Sequence, residues 1–383
     1  MSIEQQLEKL LYGSEEVHSK EELKKKLQEN RPLRIKFGVD PTSPNIHLGH
    51  TVPLLKLRQF QDLGHQAILI IGDFTARIGD PSGRNNTRPI LEPEQIRKNA
   101  VTYEEQAFKI LQRSQTEVIW NGTWFDSMSL MDNLQLMRRK TLAQILQRRD
   151  FKQRMASGID VMLHEIQYPI LQGWDSVKVN ADVEIGGSDQ LFNLLVGRDL
   201  QSQVGQPPQV VLTLPILVGT DGQEKMSKSL NNYIGVTETP EEMFGKTMSI
   251  NDDLMKKWWP TLFNSEAVDI SSHPMESKKE LGVKIVTRFH STEVAIQARQ
   301  NWEKQFSEKQ VPDNIPTYSL VASEPLWQLL KNSGLSASSS EARRMIQQGA
   351  VSFEGQKLTD EKTILSEIGV IKYGKRHFLK LTK

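Results

Sequence analysis

The chain has 383 residues, no cysteine, and a formal net charge of +1 from 48 basic and 47 acidic residues. That length calls for more than one hydrophobic core. The lack of cysteine excludes a disulfide scaffold, thiolate catalysis and Cys-ligated zinc or iron–sulfur sites, and the longest unbroken apolar run, Ala67 to Ile71, is far short of a membrane span.

The N-terminal stretch MSIEQQLEKLL is charged and amphipathic without a signal-peptide apolar block, so a soluble, cytoplasmic protein with no membrane association is expected. Leu7, Leu10 and Leu11 share a face that Leu23 and Leu27 repeat, and residues 1–30 read as helix. Arg34–Val39 reads as a strand, followed by a Pro/Ser/Asn turn and a helix from about Leu48 to Leu63 that Gly64 ends. Ala67–Ile71, bounded by Gly72, suits a buried parallel strand. Glu117–Trp120, Ala181–Ile185 and Val210–Leu214 are further strands, with helices such as Pro93–Gln112 and Leu130–Gln147 between them. This alternation predicts an α/β fold with a parallel sheet. From Pro240 to about Phe306 the pattern is helical throughout, and QVPDNIPTYS (310–319) reads as a linker. A compact unit follows: helices at Leu326–Asn332 and over 338–349, then a strand–turn–strand in AVSFEGQKL. From Leu320 to Lys383 there are 10 basic and 6 acidic residues, and the stretch from Lys372 onward holds five basic residues and no acidic one.

Two segments can carry chemistry together. In D40-P-T-S-P-N-I-H-L-G-H50 a strand hands over to a helix. His47 and His50, three apart, share one face of the first turn, Gly49 lets a flat group approach the backbone, and the helix N-terminus adds free N–H groups. These features suit a nucleotide. The spacing is not the i, i+4 of a helical zinc pair. In K225-M-S-K-S229, within a Gly-rich loop, two lysines three apart are mobile point charges able to follow a moving polyphosphate. Each segment alone reads better as an ordinary surface turn or a solvated basic loop. It is their occurrence together, in this order and on either side of an α/β pattern, that is specific.

The pair resembles the class I aminoacyl-tRNA synthetases. Three further segments, G79-D-P-S-G83 with Arg84 and Arg88 after it, Y168-P-I-L-Q-G-W-D175, and G186-G-S-D-Q190, resemble the tyrosyl branch of that family, and the similarity spans essentially the whole chain. The C-terminal helix in S338-S-S-E-A-R-R-M-I-Q-Q-G-A-V351, carrying Arg343 and Arg344, resembles an S4-type RNA-binding domain. The resemblance implies three parts. Residues 1–230 would form a Rossmann-like catalytic domain with its signature turn at 42–51 and its loop at 225–229. Residues 231–312 would form a helical anticodon-recognition domain, and 320–383 the S4-like domain.

By the same resemblance the chain would join tyrosine to ATP as tyrosyl-adenylate and then charge tRNA(Tyr), working as a homodimer. Magnesium would accompany ATP, with no tightly bound cofactor and no metal held by the protein. Thr42 and His47 would hold the departing pyrophosphate, joined by Lys225, Lys228, Arg84 and Arg88. Gly49, His50, Gly187 and Asp189 would hold the adenosine, with Leu217 and Val218 near the base. Asp80, Tyr168 and Gln172 would receive the ammonium group and Gln190 the carboxylate, while Asp40 would lie beside the reacting centre. Asp175 would accept the phenol hydrogen bond. Lys36 stands where many family members have a tyrosine, and is expected to donate to the phenol or to pair with Asp175. Arg343 and Arg344 would contact RNA. Three rivals stand beside this reading. A tryptophanyl enzyme is disfavoured by Asp175 and the S4-like unit. A small-molecule nucleotidyltransferase would not need residues 240–306 or the basic C-terminal unit. A non-catalytic RNA-binding relative would be expected to have lost His47, His50, Lys225 and Lys228.

Overall fold

The computed structural model describes residues 1–82, 91–263, 273–306, 315–321, 323–374 and 377–382. The chain forms two compact units, Met1–Arg299 and Gln300–Lys383.

In the first unit the chain runs α1 (Ile3–Leu11), β1 (Glu16–His18), α2 (Lys20–Gln28), β2 (Arg34–Val39), α3 (Leu48–Gln61), β3 (Gln66–Ile71), α4 (Thr75–Ile78), α5 (Pro93–Ala107), β4 (Thr116–Trp120) and α6 (Gly122–Phe125). It continues through α7 (Leu130–Met137), α8 (Leu142–Ile145), α9 (Arg149–Ala156), α10 (Leu163–Lys178), β5 (Val183–Gly187), α11 (Leu191–Gln203) and β6 (Val210–Leu214). The helices α12 (Pro240–Ser249), α13 (Asp252–Phe263) and α14 (Pro274–Phe289) follow, and α15 (Thr292–Phe306) begins in this unit.

The sheet order is β1-β6-β5-β2-β3-β4. All pairs are parallel except β1 with β6. The chain steps outward from β2 through β3 to β4, then returns to the other side of β2 with β5 and β6. The β2/β5 boundary is therefore where the winding reverses, and a doubly wound sheet opens its crevice at the carboxyl ends of the strands at such a point. The apolar run Ala67–Ile71 is wholly buried in β3, as an interior parallel strand requires.

The expected helix over 1–30 is two helices. Gly13 takes φ +73°, a left-handed conformation that ends α1, and the next residues pair with the edge of β6. The expected helix over 130–147 also divides, because Thr141 caps a new helix through Gln144. The helix from Pro93 stops at Ala107, short of the expected Gln112. The helical stretch after residue 240 packs into this same unit, with α13 against α3. Trp258 and Trp259 are buried, and the Trp258 indole N–H donates to the Val218 carbonyl at 3.0 Å.

The second unit contains β7 (Thr317–Ser319), α16 (Leu326–Asn332), α17 (Ser339–Gln347), β8 (Val351–Phe353), β9 (Gln356–Lys357), β10 (Gly369–Tyr373) and β11 (His377–Thr382), with sheet order β7-β11-β10-β8-β9. Its core gathers Leu326, Leu329, Leu330, Ile346, Val351, Ile371, Leu379 and Leu381. Of the expected linker, residues 310–314 lie outside the described residues, and Thr317–Ser319 is a strand paired with β11.

Candidate active site

A cleft of about 600 Å³ opens at the carboxyl ends of β2, β5 and β6, lined among others by Asp40, Thr42, His47, Gly49, His50, Gly187, Asp189, Leu217, Lys225 and Lys228. The histidine turn pairs through the backbone with the stretch that follows the lysine loop. The Leu48 N–H donates to the Ile234 carbonyl at 2.9 Å, and the Val236 N–H donates to the Ile46 carbonyl at 3.1 Å. The Lys228 ammonium donates to the Ser43 hydroxyl and the Asn45 carbonyl, and burial lowers its pKa. The loop is folded back on itself: the Met226 N–H donates to the Leu217 carbonyl at 2.9 Å, and the Asn232 side chain ties Ser227, Asp221 and Lys225 together.

The histidines cap their own helix. The Gly49 N–H donates to His47 Nδ1 and the His47 N–H donates to His50 Nδ1, each at 3.2 Å. A backbone donor at Nδ1 leaves the proton of a neutral imidazole on Nε2. Both rings are held neutral. Burial drives the His47 pKa far down, with the neighbouring His50 and Lys228 adding, and takes His50 down to about 4. Each ring therefore offers one Nε2–H donor.

Beneath the cleft lies a dense polar layer. Asp40 accepts from the Thr75 hydroxyl at 2.7 Å and the Tyr168 hydroxyl at 2.9 Å. Gly72 is required beside it, since a Cβ there would stand 2.2 Å from Asp40 Oδ1. Asn121 donates to the Thr75 hydroxyl at 3.1 Å and to Asp175 at 3.2 Å, and the Trp124 indole donates to the other Asp175 oxygen at 3.0 Å. Burial raises the Asp175 pKa to about 7, against the lowering effect of Lys36 and of these two donors. Toward the other end, Asp80 accepts from Gln190 at 2.7 Å and from the Ser82 N–H and hydroxyl at 2.9 and 2.6 Å. Asn193 donates to Gln172 at 2.8 Å and Gln190 at 3.1 Å. Burial, with Asp80 nearby, raises the Asp189 pKa.

Lys36 does not pair with Asp175. Its three donors go to the Gln172 carbonyl at 2.9 Å, the Ser176 hydroxyl at 2.7 Å and Glu184 at 2.7 Å. The ammonium is fully enclosed between β2, β5 and α10, and a lysine has no fourth proton to give. Leu217 lines the cleft, whereas Val218 pairs with Lys225 as an isolated bridge behind it. Arg84 and Arg88 lie outside the described residues. In the second unit Arg343 and Arg344 are both exposed on α17, with Arg343 over the Trp327 ring at 4.5 Å. Sequence reasoning missed Thr75, Asn121, Trp124, Asn193 and Arg148. For Asn121 a signal existed, because it directly follows a parallel strand.

The doubly wound sheet with paired histidine turn and lysine loop defines a class I synthetase architecture. Residues 28–307 match the family described as tRNA synthetases class I (W and Y), and residues 307–379 match the tyrosine–tRNA ligase SYY-like C-terminal domain. The chain is 48% identical to a tyrosine–tRNA ligase of Desulfotalea psychrophila over 99% of this chain and 98% of that one. It is 49% identical to one of Francisella tularensis over 99% of each. It is similar in fold to a tyrosyl-tRNA synthetase of Archaeoglobus fulgidus solved with L-tyrosine (TM-score 0.63, 23% identity, 78% of this chain and 100% of that one). The chain belongs to the tyrosine–tRNA ligase family.

Proposed function

We propose that the cleft joins tyrosine and ATP and that the polar layer beneath it reads the amino acid. The observation that carries this is the hydrogen-bonded run Asp175–Asn121–Thr75–Asp40–Tyr168, which ties a buried acceptor to the carboxylate at the cleft. The tyrosine carboxylate, already ionised at neutral pH, attacks the α-phosphorus of ATP, and pyrophosphate leaves with the electron pair of the broken P–O bond. No protein base is needed for this step. What the chain supplies is alignment and positive charge on the departing oxygens. His47, with Thr42, donates to the pyrophosphate through Nε2–H, and Lys225 and Lys228 follow it as the loop closes. Arg84 and Arg88 add charge there. Gly49, His50, Gly187 and Asp189 hold the adenosine, with Leu217 at the base. Magnesium travels with ATP, keeping phosphate and water ligands; among the described residues no group of three His, Asp or Glu could cage it.

Asp175 accepts the phenol hydrogen bond, while Asp80, Tyr168 and Gln172 take the ammonium; Gln190, whose two N–H groups go to Asp80 and Ser82, has none left for the carboxylate and holds Asp80 in place instead. A hydroxyl of the tRNA 3′-terminal adenosine then attacks the adenylate carbonyl and releases AMP. Residues 1–230 carry the chemistry, 231–312 reach the anticodon arm, and 320–383 hold tRNA through Arg343 and Arg344. A homodimer is supported by the exposed Leu130, Met131, Leu134, Leu142 and Leu163, an unusual number of large apolar side chains in solvent. Among the described residues no helix is long and apolar enough to cross a membrane, and these substrates suit a cytoplasmic enzyme. The test is transfer of labelled tyrosine to total tRNA by the full chain and by residues 1–319. The full chain is expected to charge tRNA. The shorter chain is expected to keep adenylate formation and lose charging, and equal charging by both would refute the role given to the C-terminal unit.

A further inference from the structure

One buried cation beside the amino-acid end of the site has no part in the reaction above. Arg148 immediately precedes α9 and is only 4% exposed. Its Nε donates to Asp150 at 2.8 Å, Nη1 donates to Asn193 Oδ1 at 3.0 Å, and Nη2 donates to the Ser82 hydroxyl while lying 3.6 Å from Asp80. A cation behind a pocket meant for another cation is electrostatically adverse unless its charge is taken up, and the two aspartates do this.

The direction of the hydrogen bonds is what matters. A guanidinium only donates. Its bond therefore fixes Asn193 with the carbonyl toward Arg148 and the amide N–H pair toward Gln172 Oε1 and Gln190 Oε1. With its oxygen so occupied, Gln190 must turn its own N–H pair toward Asp80 and Ser82. The donor–acceptor sense of three amides thus follows from one charge, and Gln172 and Asp80 are left presenting acceptor oxygens.

Resting on the functional reading above, we propose that Arg148 is a positioning residue for the substrate ammonium group. It touches no substrate and acts by setting the orientation of Asn193, Gln172 and Gln190 and the place of Asp80. Without it these amides are free to flip and can present N–H where an acceptor is needed.

The experiment compares Arg148→Met and Arg148→Lys with the unaltered full-length protein. Two ligands are titrated by calorimetry: L-tyrosine, and 3-(4-hydroxyphenyl)propanoate, which keeps the phenol and carboxylate and lacks the ammonium. Loss of a bond to a charged group is expected to weaken tyrosine about ten- to a hundred-fold in Arg148→Met. The propanoate should stay within about twofold, as should the KM for ATP in pyrophosphate exchange. Arg148→Lys keeps the charge without the planar fork and should show the same selective loss, smaller in size. It serves as the test if the methionine variant does not fold. Equal weakening of both ligands would mean a packing role only and overturn the proposal, and so would no weakening of either. If the unaltered protein bound no tyrosine, the functional reading itself would fall before any variant was made.

Discussion

Replacing Asp175 by asparagine should stabilise the protein at pH 8 and not at pH 5. Burial raises this carboxyl from 3.8 to about 7. In the unfolded chain it ionises near 4, so the folded state binds its proton more tightly. The group's contribution is fully present below about pH 4 and is lost as pH rises through about 7, leaving a cost of about 4 kcal/mol above that. Asparagine removes this titration. It also sets an amide against the Asn121 N–H pair, and Asn121 cannot turn to suit because its oxygen accepts the Phe74 N–H at 3.0 Å. That mismatch costs about 1–3 kcal/mol. The variant should therefore be slightly more stable than the natural protein at pH 8 and less stable at pH 5, the difference shifting by about 3 kcal/mol across that window. Urea unfolding of both proteins at pH 5, 6, 7 and 8 reads this directly, and other titrating groups cancel in the comparison. Two stability curves that stay parallel from pH 5 to 8 would refute the reasoning. At the same time the variant should lose preference for tyrosine over phenylalanine.

Other consequences can be checked separately. If the ionised Asp175 is the phenol acceptor, kcat/KM for tyrosine should rise with pH through about 7, and the rise should vanish in Asp175→Asn. The rings of His47 and His50 should stay neutral with Nε2–H between pH 5 and 8, visible in nitrogen-correlated NMR; a midpoint near 6.5 in either ring would contradict their burial. Lys36→Met leaves Glu184 enclosed without its partner and should cost about 3–5 kcal/mol in urea unfolding, part of which Lys36→Met/Glu184→Gln recovers; an unchanged midpoint would sink the assignment. Lys228→Ala should slow pyrophosphate exchange by about a hundred-fold with little change in the KM for tyrosine.

The parallel sheet was readable because β3 is a continuous apolar run ending in glycine and because strands and helices alternate at regular spacing. The two signatures were readable as motifs, and the cleft unites them. Sequence periodicity could not reveal the breaks at Gly13 and Thr141, where one turn residue and one cap outweigh a helical pattern on either side. Nor could it pair Lys36 with Glu184, which stand 148 positions apart and meet only because β2 lies beside β5. Arg148 and Asn193 were invisible for the same reason. Their meaning lies in the direction of hydrogen bonds between distant segments, and residue type alone does not carry it.

The central claim is that this cleft activates tyrosine and identifies it by its phenol. Pyrophosphate exchange into ATP, measured with tyrosine, phenylalanine and tryptophan on the same folded protein, tests it most directly. The account predicts exchange with tyrosine and a strong preference over phenylalanine, because phenylalanine has no hydroxyl to donate to the buried Asp175 carboxylate. Comparable exchange with phenylalanine, or exchange driven by tryptophan, would contradict it.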